Sequence, residues 1–356
     1  MSSLKELDLW MCKSLRKLPE FGKCMNQLSI LSLGETAIEE LPTTLGNLVG
    51  LSELDISGYD KLRSFPNIVG VLCSLSSLTY LSSLKLWGCI PESSEESTFY
   101  YNLGRLSSLT YLDLSENQFA RVPMIIHELP RLTRLRLYIC HYLEVLSELP
   151  SSLRELDASC CGSLNASYVN DVIPKMCRVF LESARQDDEE VLQVLIPREE
   201  IPAWFDHQEQ GSSVSIPFPH NCPSTETIAL ALCFLLHGRT KDEVQPSVIC
   251  NGKEFIKQSL FQVFFGIVSP HLFVVYLTGY YFSSLSSQEN RFQMLFPSDP
   301  DYNILVQRSA ARWEEDRPAA TIVEDPILLC LEFCTRSNPP VTPIIPFHSN
   351  NSSSVM

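Results

Sequence analysis

The chain of 356 residues contains 13 cysteines, 7 histidines and 42 carboxylates, the side chains from which a nucleophile, an acid–base pair or a metal site would be built. Their spacing supports none of these. The cysteine count is odd, no two form a C-x-x-C pair, and Cys330 and Cys334 sit in an apolar run with no histidine nearby, so neither a zinc site nor a disulfide framework is expected. There is no G-x-S-x-G and no H-E-x-x-H. Gly22-Lys23 and Gly252-Lys253 lack the earlier glycine and the following Ser or Thr of a phosphate-cradling loop, so no nucleotide site, no cofactor and no catalytic residue are expected. His207, between Asp206 and Gln208, is the most tempting single residue and reads as a structural or surface histidine in a turn. The chemistry left is binding. Trp10, Trp87, Tyr111, Arg134, Arg136, Tyr138 and Arg154 are the residue types that dominate protein-binding hot spots, and they are the expected partner-binding set.

Those seven residues are positioned by a repeat. Leu109 to Pro123, LTYLDLSENQFARVP, spaces its apolar residues as L-x-x-L-x-L-x-x-N-x-F-x-x-V-P, the pattern of one leucine-rich coil. Seven coils share its frame: Leu4, Leu7, Leu9; Leu28, Leu31, Leu33; Leu51, Leu54, Ile56; Leu81, Leu84, Leu86; Leu109, Leu112, Leu114; Leu132, Leu135, Leu137; and Leu153, Leu156, Ala158. The turn position reads Cys12, Thr36, Tyr59, Cys89, Asn117, Cys140 and Cys161. Asn117 can be buried there only if its amide bonds neighbouring coils, and the cysteines read as small buried residues rather than reactive ones. Return limbs end in Leu18-Pro19, Leu41-Pro42, Phe65-Pro66 and Val122-Pro123, which predicts an irregular outer face. Residues between frame leucines point to the concave side. One such column reads Asp8, Ser32, Asp55, Lys85, Asp113, Arg136 and Asp157, a charge ladder whose exposed pairs should each add about 0–1 kcal/mol. Thr110 and Thr133 are expected to tolerate alanine.

A net charge of −15 argues against a phosphate-backbone partner. The start, MSSLKELDLW, has no secretory pattern and leaves the first coil without a polar cap, which predicts a fraying edge and the tail of a longer protein. Residues 91–106 swell one coil into a packed or contact-making loop. The repeat frame covers 1–164, giving an α/β solenoid. A partly helical joint with a solvated DDEE run is expected over 165–190. Over 191–336, short apolar runs cut by Pro, Gly and Ser predict an all-β sandwich: VLQVLIP, SSVSIPFP, TIALALCFLLHG, PSVICNG, FQVFFGIV, LFVVYL, RFQMLFP and PILLCLEFC. The stretch Leu260 to Phe282, broken at Pro270-His271, reads as two strands rather than a membrane span. Residues 337–356 are expected to be disordered.

The Leu-Pro limbs, the final coil ELPSSLRELDASCCGSL and the string IPREEIPAWFDHQEQGSSVSIPFP resemble the C-terminal half of plant TIR–nucleotide-binding–leucine-rich-repeat immune receptors. Ile201-Pro202-Ala203-Trp204-Phe205, His207-Gln208 and Gly211-Ser212-Ser213 are similar to the start of that class's post-repeat jelly-roll/Ig-like domain, and Ala229 to Cys233 and Ser269 to Phe273 to its later strands. The resemblance implies a non-enzymatic, cytoplasmic protein, with the nucleus as a second location, that recognises a pathogen effector protein and helps hold the receptor inactive through its nucleotide-binding domain. The family's NAD-cleaving TIR domain is absent from the sequence, and neither ADP binding nor NAD cleavage is expected. Two other readings stay open: a truncated regulator or decoy pairing with a full-length receptor, and a carbohydrate-binding sandwich whose platform would be Trp313 in the ARWEEDRP loop.

Overall fold

The computed structural model describes residues 3–58, 75, 77–89, 103–146, 148–183, 190–219, 228–239, 245–256, 270–278, 281–282, 285, 289–295 and 303–315. Each coil contributes one three-residue strand centred on its second frame leucine: β1 Glu6–Asp8, β2 Ile30–Ser32, β3 Glu53–Asp55, β4 Ser83–Lys85, β5 Tyr111–Asp113, β6 Arg134–Arg136 and β7 Glu155–Asp157. The strands are parallel and in register from Leu7↔Leu31 to Leu135↔Leu156. From coil two onward every frame residue is buried, because the inward side of one coil finds apolar partners only in the next; Leu4, Leu7 and Leu9 are half-buried.

The expected leucine-rich-repeat solenoid is present and rich in strand. The described outer segments include single 3-10 turns, Thr43–Asn47 after Pro42 and Met124–Glu128 after Pro123, and α-helical residues at Leu75 and Leu103. Proline at the entry fixes φ near −60° and leaves room for one tight turn before the limb must return. Tyr59, Phe65-Pro66, the 91–102 part of the swollen coil, most of the DDEE run, FQVFFGIV, PILLCLEFC and the 337–356 tail lie outside the described residues.

Two side-chain ladders bind coil to coil. At the turn, Asn117 Nδ2 donates to the Leu86 carbonyl of the preceding coil (3.0 Å) and to Leu114 O (2.8 Å), and Cys89, Cys140 and Cys161 aim Sγ at the corresponding carbonyls of Ile56, Leu114 and Leu137 (3.0–3.3 Å). Along the strand approach, Ser29, Ser52, Ser82, Thr110 and Thr133 each donate a hydroxyl to the carbonyl of the equivalent residue one coil back, at 3.0–3.1 Å. Thr110 and Thr133 are therefore rungs of a ladder, not idle surface.

The residue before each turn adopts positive φ: Met11, Glu35, Gly58, Gly88, Glu116, Ile139 and Cys160. At φ 58°, Ile139 is the costliest, since a β-branched side chain crowds its own backbone there. At position 139 the usual order of substitutions should invert: Ile139→Gly is expected to be more stable than Ile139→Ala by about 1 kcal/mol. Urea melts of the two variants check this, and an alanine variant at least as stable would remove strain from the account.

The sheet does not end with the repeats. Helix α1 (Ala166–Ser183), whose Val172, Ile173, Cys177 and Phe180 join the solenoid core, precedes β8 (Val191–Pro197), which pairs parallel to β7 through Glu155↔Gln193 and Asp157↔Leu195. The other strands are β9 His207–Gln210, β10 Ser213–Pro217, β11 Ile228–Arg239, β12 Ser247–Cys250, β13 Lys253–Glu254, β14 His271–Leu277, β15 Glu289–Leu295 and β16 Asn303–Glu315. They extend the first sheet as β8-β14-β11-β16-β9 and form a second, β10-β15-β12-β13.

Successive side chains of β8, β11 and β14 divide between two cores. Leu192, Val194, Cys233, Leu272, Val274 and Tyr276 join the solenoid core, where Phe180 of α1 meets Tyr276 edge-on at 5.9 Å. Leu195, Leu232, Phe234, Phe273 and Val275 face the cluster shared with Val214, Val248, Phe292 and Met294 of the second sheet. Burial on both faces is why these runs read as continuously apolar. Two segments read otherwise in the sequence: the ARWEEDRP loop begins inside β16, and the turn holding His207 is strand β9. Both strands are polar or alanine-rich, so apolar periodicity does not mark them.

Candidate recognition surface

Three columns of side chains line the concave sheet. The first is Glu6, Ile30, Glu53, Ser83, Tyr111, Arg134 and Glu155; the second is the predicted charge ladder; the third, one residue past each strand's last frame residue, is Trp10, Gly34, Ser57, Trp87, Ser115, Tyr138 and Ser159. Carboxylates of the second column have a backbone duty as well as a charge. Asp8, Asp55, Asp113 and Asp157 each accept the N–H two residues on, at 2.9–3.0 Å, turning the chain off the sheet.

Lys85 reaches Asp55 (3.7 Å) and Arg136 reaches Asp157 (3.3 Å), in the register the sequence implies. The two halves of the ladder differ in depth. Asp113 and Asp157 are buried, and burial holds the Asp113 carboxyl above the usual carboxylate range, against hydrogen bonds from Ser115 and the charge of Arg136.

The seven expected contact residues do not form one patch. Tyr111, Arg134, Arg136 and Tyr138 come together over coils five to seven. The Arg134 guanidinium lies 5.2 Å from the Tyr111 ring centre and 4.0 Å from Glu155 Oε2; Arg136 lies 5.8 Å from the Tyr138 ring. Arg134 is exposed, Tyr111 and Arg136 are half-buried, and Tyr138 is buried. Burial pushes both tyrosine hydroxyls up, so they stay protonated, and Tyr111 donates to Asp113 Oδ2 (3.3 Å). Trp10 and Trp87 stand apart on the earlier coils.

Arg154 faces elsewhere. Its Nε meets Glu190 at 2.7 Å, its guanidinium lies 4.8 Å from the Phe180 ring, and it donates to the carbonyls of Ser151 and Leu153. This side chain clamps α1 onto the last coil. His207 is half-buried and Trp204 stacks on Phe205 at 4.0 Å; the side chain of Trp313 lies outside the described residues.

A further residue has no local signal in the sequence. In each coil the positive-φ residue donates its N–H to the next coil, as Ile139 does to Ser159 O (3.0 Å). The last such N–H, of Cys160, is taken by Nε2 of fully buried His271, 111 residues away, at 3.0 Å. An accepting Nε2 carries no proton, so His271 substitutes for the missing eighth coil.

The buried thiols are structural. Burial pushes Cys89 and Cys233 far up and Cys250 up to about 11, while Cys161 is raised by the Cys140 thiol beside it and by burial. A cleft of about 260 Å³ opens between the last return limb and α1, walled by Leu149, Pro150, Val172 and Met176, with the Lys175–Glu148 pair (3.1 Å) among its lining residues.

A solenoid closed at its last coil by a histidine of a following β domain defines the class, a leucine-rich-repeat protein with a post-repeat domain. Residues 1–99 match the family model described as disease resistance protein RPS4B-like leucine-rich repeats, and residues 196–314 match the C-JID domain. The chain corresponds to the C-terminal leucine-rich-repeat and C-JID part of a plant TIR–nucleotide-binding–leucine-rich-repeat disease resistance protein. It is 28% identical to disease resistance-like protein DSC1 of Arabidopsis thaliana over 74% of this chain and 24% of that protein. To TMV resistance protein N of Nicotiana glutinosa it is 31% identical over 62% of this chain and 21% of that one, so it spans about a quarter or less of either relative. Among solved structures, a Leptospira interrogans leucine-rich-repeat protein overlaps 49% of this chain and 47% of its own at 21% identity and a TM-score of 0.29, too weak a likeness to bear on the fold.

Proposed function

We propose that this chain is a recognition module of a plant intracellular immune receptor, acting in the cytoplasm by protein–protein binding, with a pathogen effector as its partner on the concave face of coils five to seven. The observation that carries the proposal is Arg134 laid over Tyr111, a cation and an aromatic ring held in place on a sheet yet open to solvent. Pre-ordered groups of this type lose little entropy on binding and dominate interface energies. The names of the two relatives, a disease resistance-like protein and a TMV resistance protein, support the biological setting. We read the two sheets after residue 190 as the expected sandwich. Their large shared surface with the last coil suits a second role, holding the solenoid in a fixed orientation against the nucleotide-binding domain of a receptor.

Arg134 is the residue to test, since it is exposed and its ion pair with Glu155 is long. Arg134→Glu should leave the melt within about 1 kcal/mol of the parent. Tagged chain recovered from infected leaf tissue should retain a pathogen-encoded protein that the Arg134→Glu variant loses. Equal retention by both, or none from infected tissue, would remove this face from recognition.

A further inference from the structure

The first four coils present a different surface from the last three. Gly34 lies in the third concave column of coil two and Gly58 one residue past that column on coil three, and neither has room for a side chain. A β-carbon on Gly34 would stand 2.9 Å from Trp10 Cδ1 and 3.1 Å from Asp55 Oδ1; one on Gly58 would stand 2.7 Å from Trp87 Cη2 and 2.9 Å from Glu35 Cγ. The two indoles thus lean in from coils one and four over a glycine floor, with the Asp55 and Glu35 carboxylates between them. Trp10 is 52% exposed and Trp87 half-buried, so the aromatic walls are open to a guest.

The charge around this recess is acidic: Glu6, Asp8 and Glu53 stand on the same strands. Its own cations hold it loosely. Lys85 lies 3.7 Å from Asp55 and Lys13 3.8 Å from Glu35, with the lysine side chains 44% and 69% exposed. Contacts of that length and exposure contribute little and are readily exchanged.

We infer that the recess between Trp10 and Trp87 receives an arginine side chain displayed by a protein partner, its guanidinium stacked on indole and paired with Glu35 or Asp55. A planar, weakly hydrated cation suits two aromatic walls and a carboxylate, whereas a neutral or anionic group would desolvate the carboxylates without compensation. The inference rests on the concave sheet being the protein-binding face and adds that its two ends take opposite charges: an arginine at coils one to four, an acidic group at Arg134.

The test uses the full chain and two synthetic peptides, acetyl-Gly-Arg-Gly-amide and its citrulline counterpart, which keeps the shape and removes the charge. Titration at low ionic strength, followed by saturation-transfer NMR on the peptide's own side-chain protons, should show saturable binding of the arginine peptide with an apparent Kd on the order of millimolar. The citrulline peptide should bind at least about tenfold more weakly. Trp10→Ala/Trp87→Ala should abolish the response, and Glu35→Gln should weaken it by about threefold or more. Should the double variant lose its far-UV circular dichroism, Trp10→Ala alone and Glu35→Gln decide. Equal binding of the two peptides, a response untouched by the variants, or no response would overturn the inference. Each of those outcomes leaves the Arg134→Glu result, which reads the other end of the sheet, to stand or fall separately.

Discussion

Leu135→Ala is expected to lower the unfolding free energy by about 2–5 kcal/mol, and Leu112→Ala by as much, because each removes a side chain fully enclosed between two neighbouring coils. Thr110→Ala and Thr133→Ala, two residues earlier on the same coils, give the contrast. The sequence suggested no loss for them, but each donates a hydroxyl to a carbonyl one coil back. Those carbonyls already accept two backbone N–H groups, as Thr110 O does from Thr133 and Arg134. The third bond should therefore be worth about 0.5–1 kcal/mol, the lower part of the usual range. Urea melts of the four variants check both values. Losses of similar size at the leucine and threonine positions would mean that the inward frame is misplaced.

Arg136→Glu is expected to be far more damaging than the open ladder suggested, costing about 2–4 kcal/mol instead of under 1. The side chain lies between buried Asp113 and buried Asp157, 3.3 Å from the latter. Reversing its sign would place three carboxylates in a row, the outer two buried and the middle one half-buried. The loss should depend on pH in a defined direction. Burial already raises the Asp113 carboxyl, and a neighbouring Glu would raise it further, so the folded variant binds more protons than the unfolded chain. Stability then falls as pH rises through and above the ordinary carboxylate range, and the gap to the parent should narrow as pH drops from 7 towards 5. A gap that stays constant or widens on acidification would show that the damage is steric. Because of this structural burden, Arg134, not Arg136, is the residue on which a binding test should rest.

The repeat could be read from residue types alone because each coil is a local object. Three leucines, a small turn residue and a proline recur within some 20–30 residues, and burial of the first requires burial of the others. The charge ladder followed for the same reason, since in-register parallel strands place equivalent residues beside one another. Long two-faced apolar strands such as β11 and β14 also announce themselves, whereas β9 and β16 do not.

What only the tertiary structure decided involves partners far apart along the chain or pairs that compete. The sequence offers Arg154 as a concave residue, yet the register gives that place to Glu155 and leaves Arg154 at the strand-approach position of Thr133, where it meets Phe180 and Glu190. Tyr138 has the identity of a contact residue and the burial of a core one. His271, an ordinary histidine in an apolar strand, becomes the acceptor that ends the solenoid only because β14 is carried next to β8 and Cys160 arrives with an N–H that no further coil can satisfy. Periodicity reports which side of a strand a residue occupies. Whether that side meets water, a neighbouring coil or a strand from a hundred residues away is set by the free energy of satisfying every buried polar group at once, and that sum exists only in the folded chain.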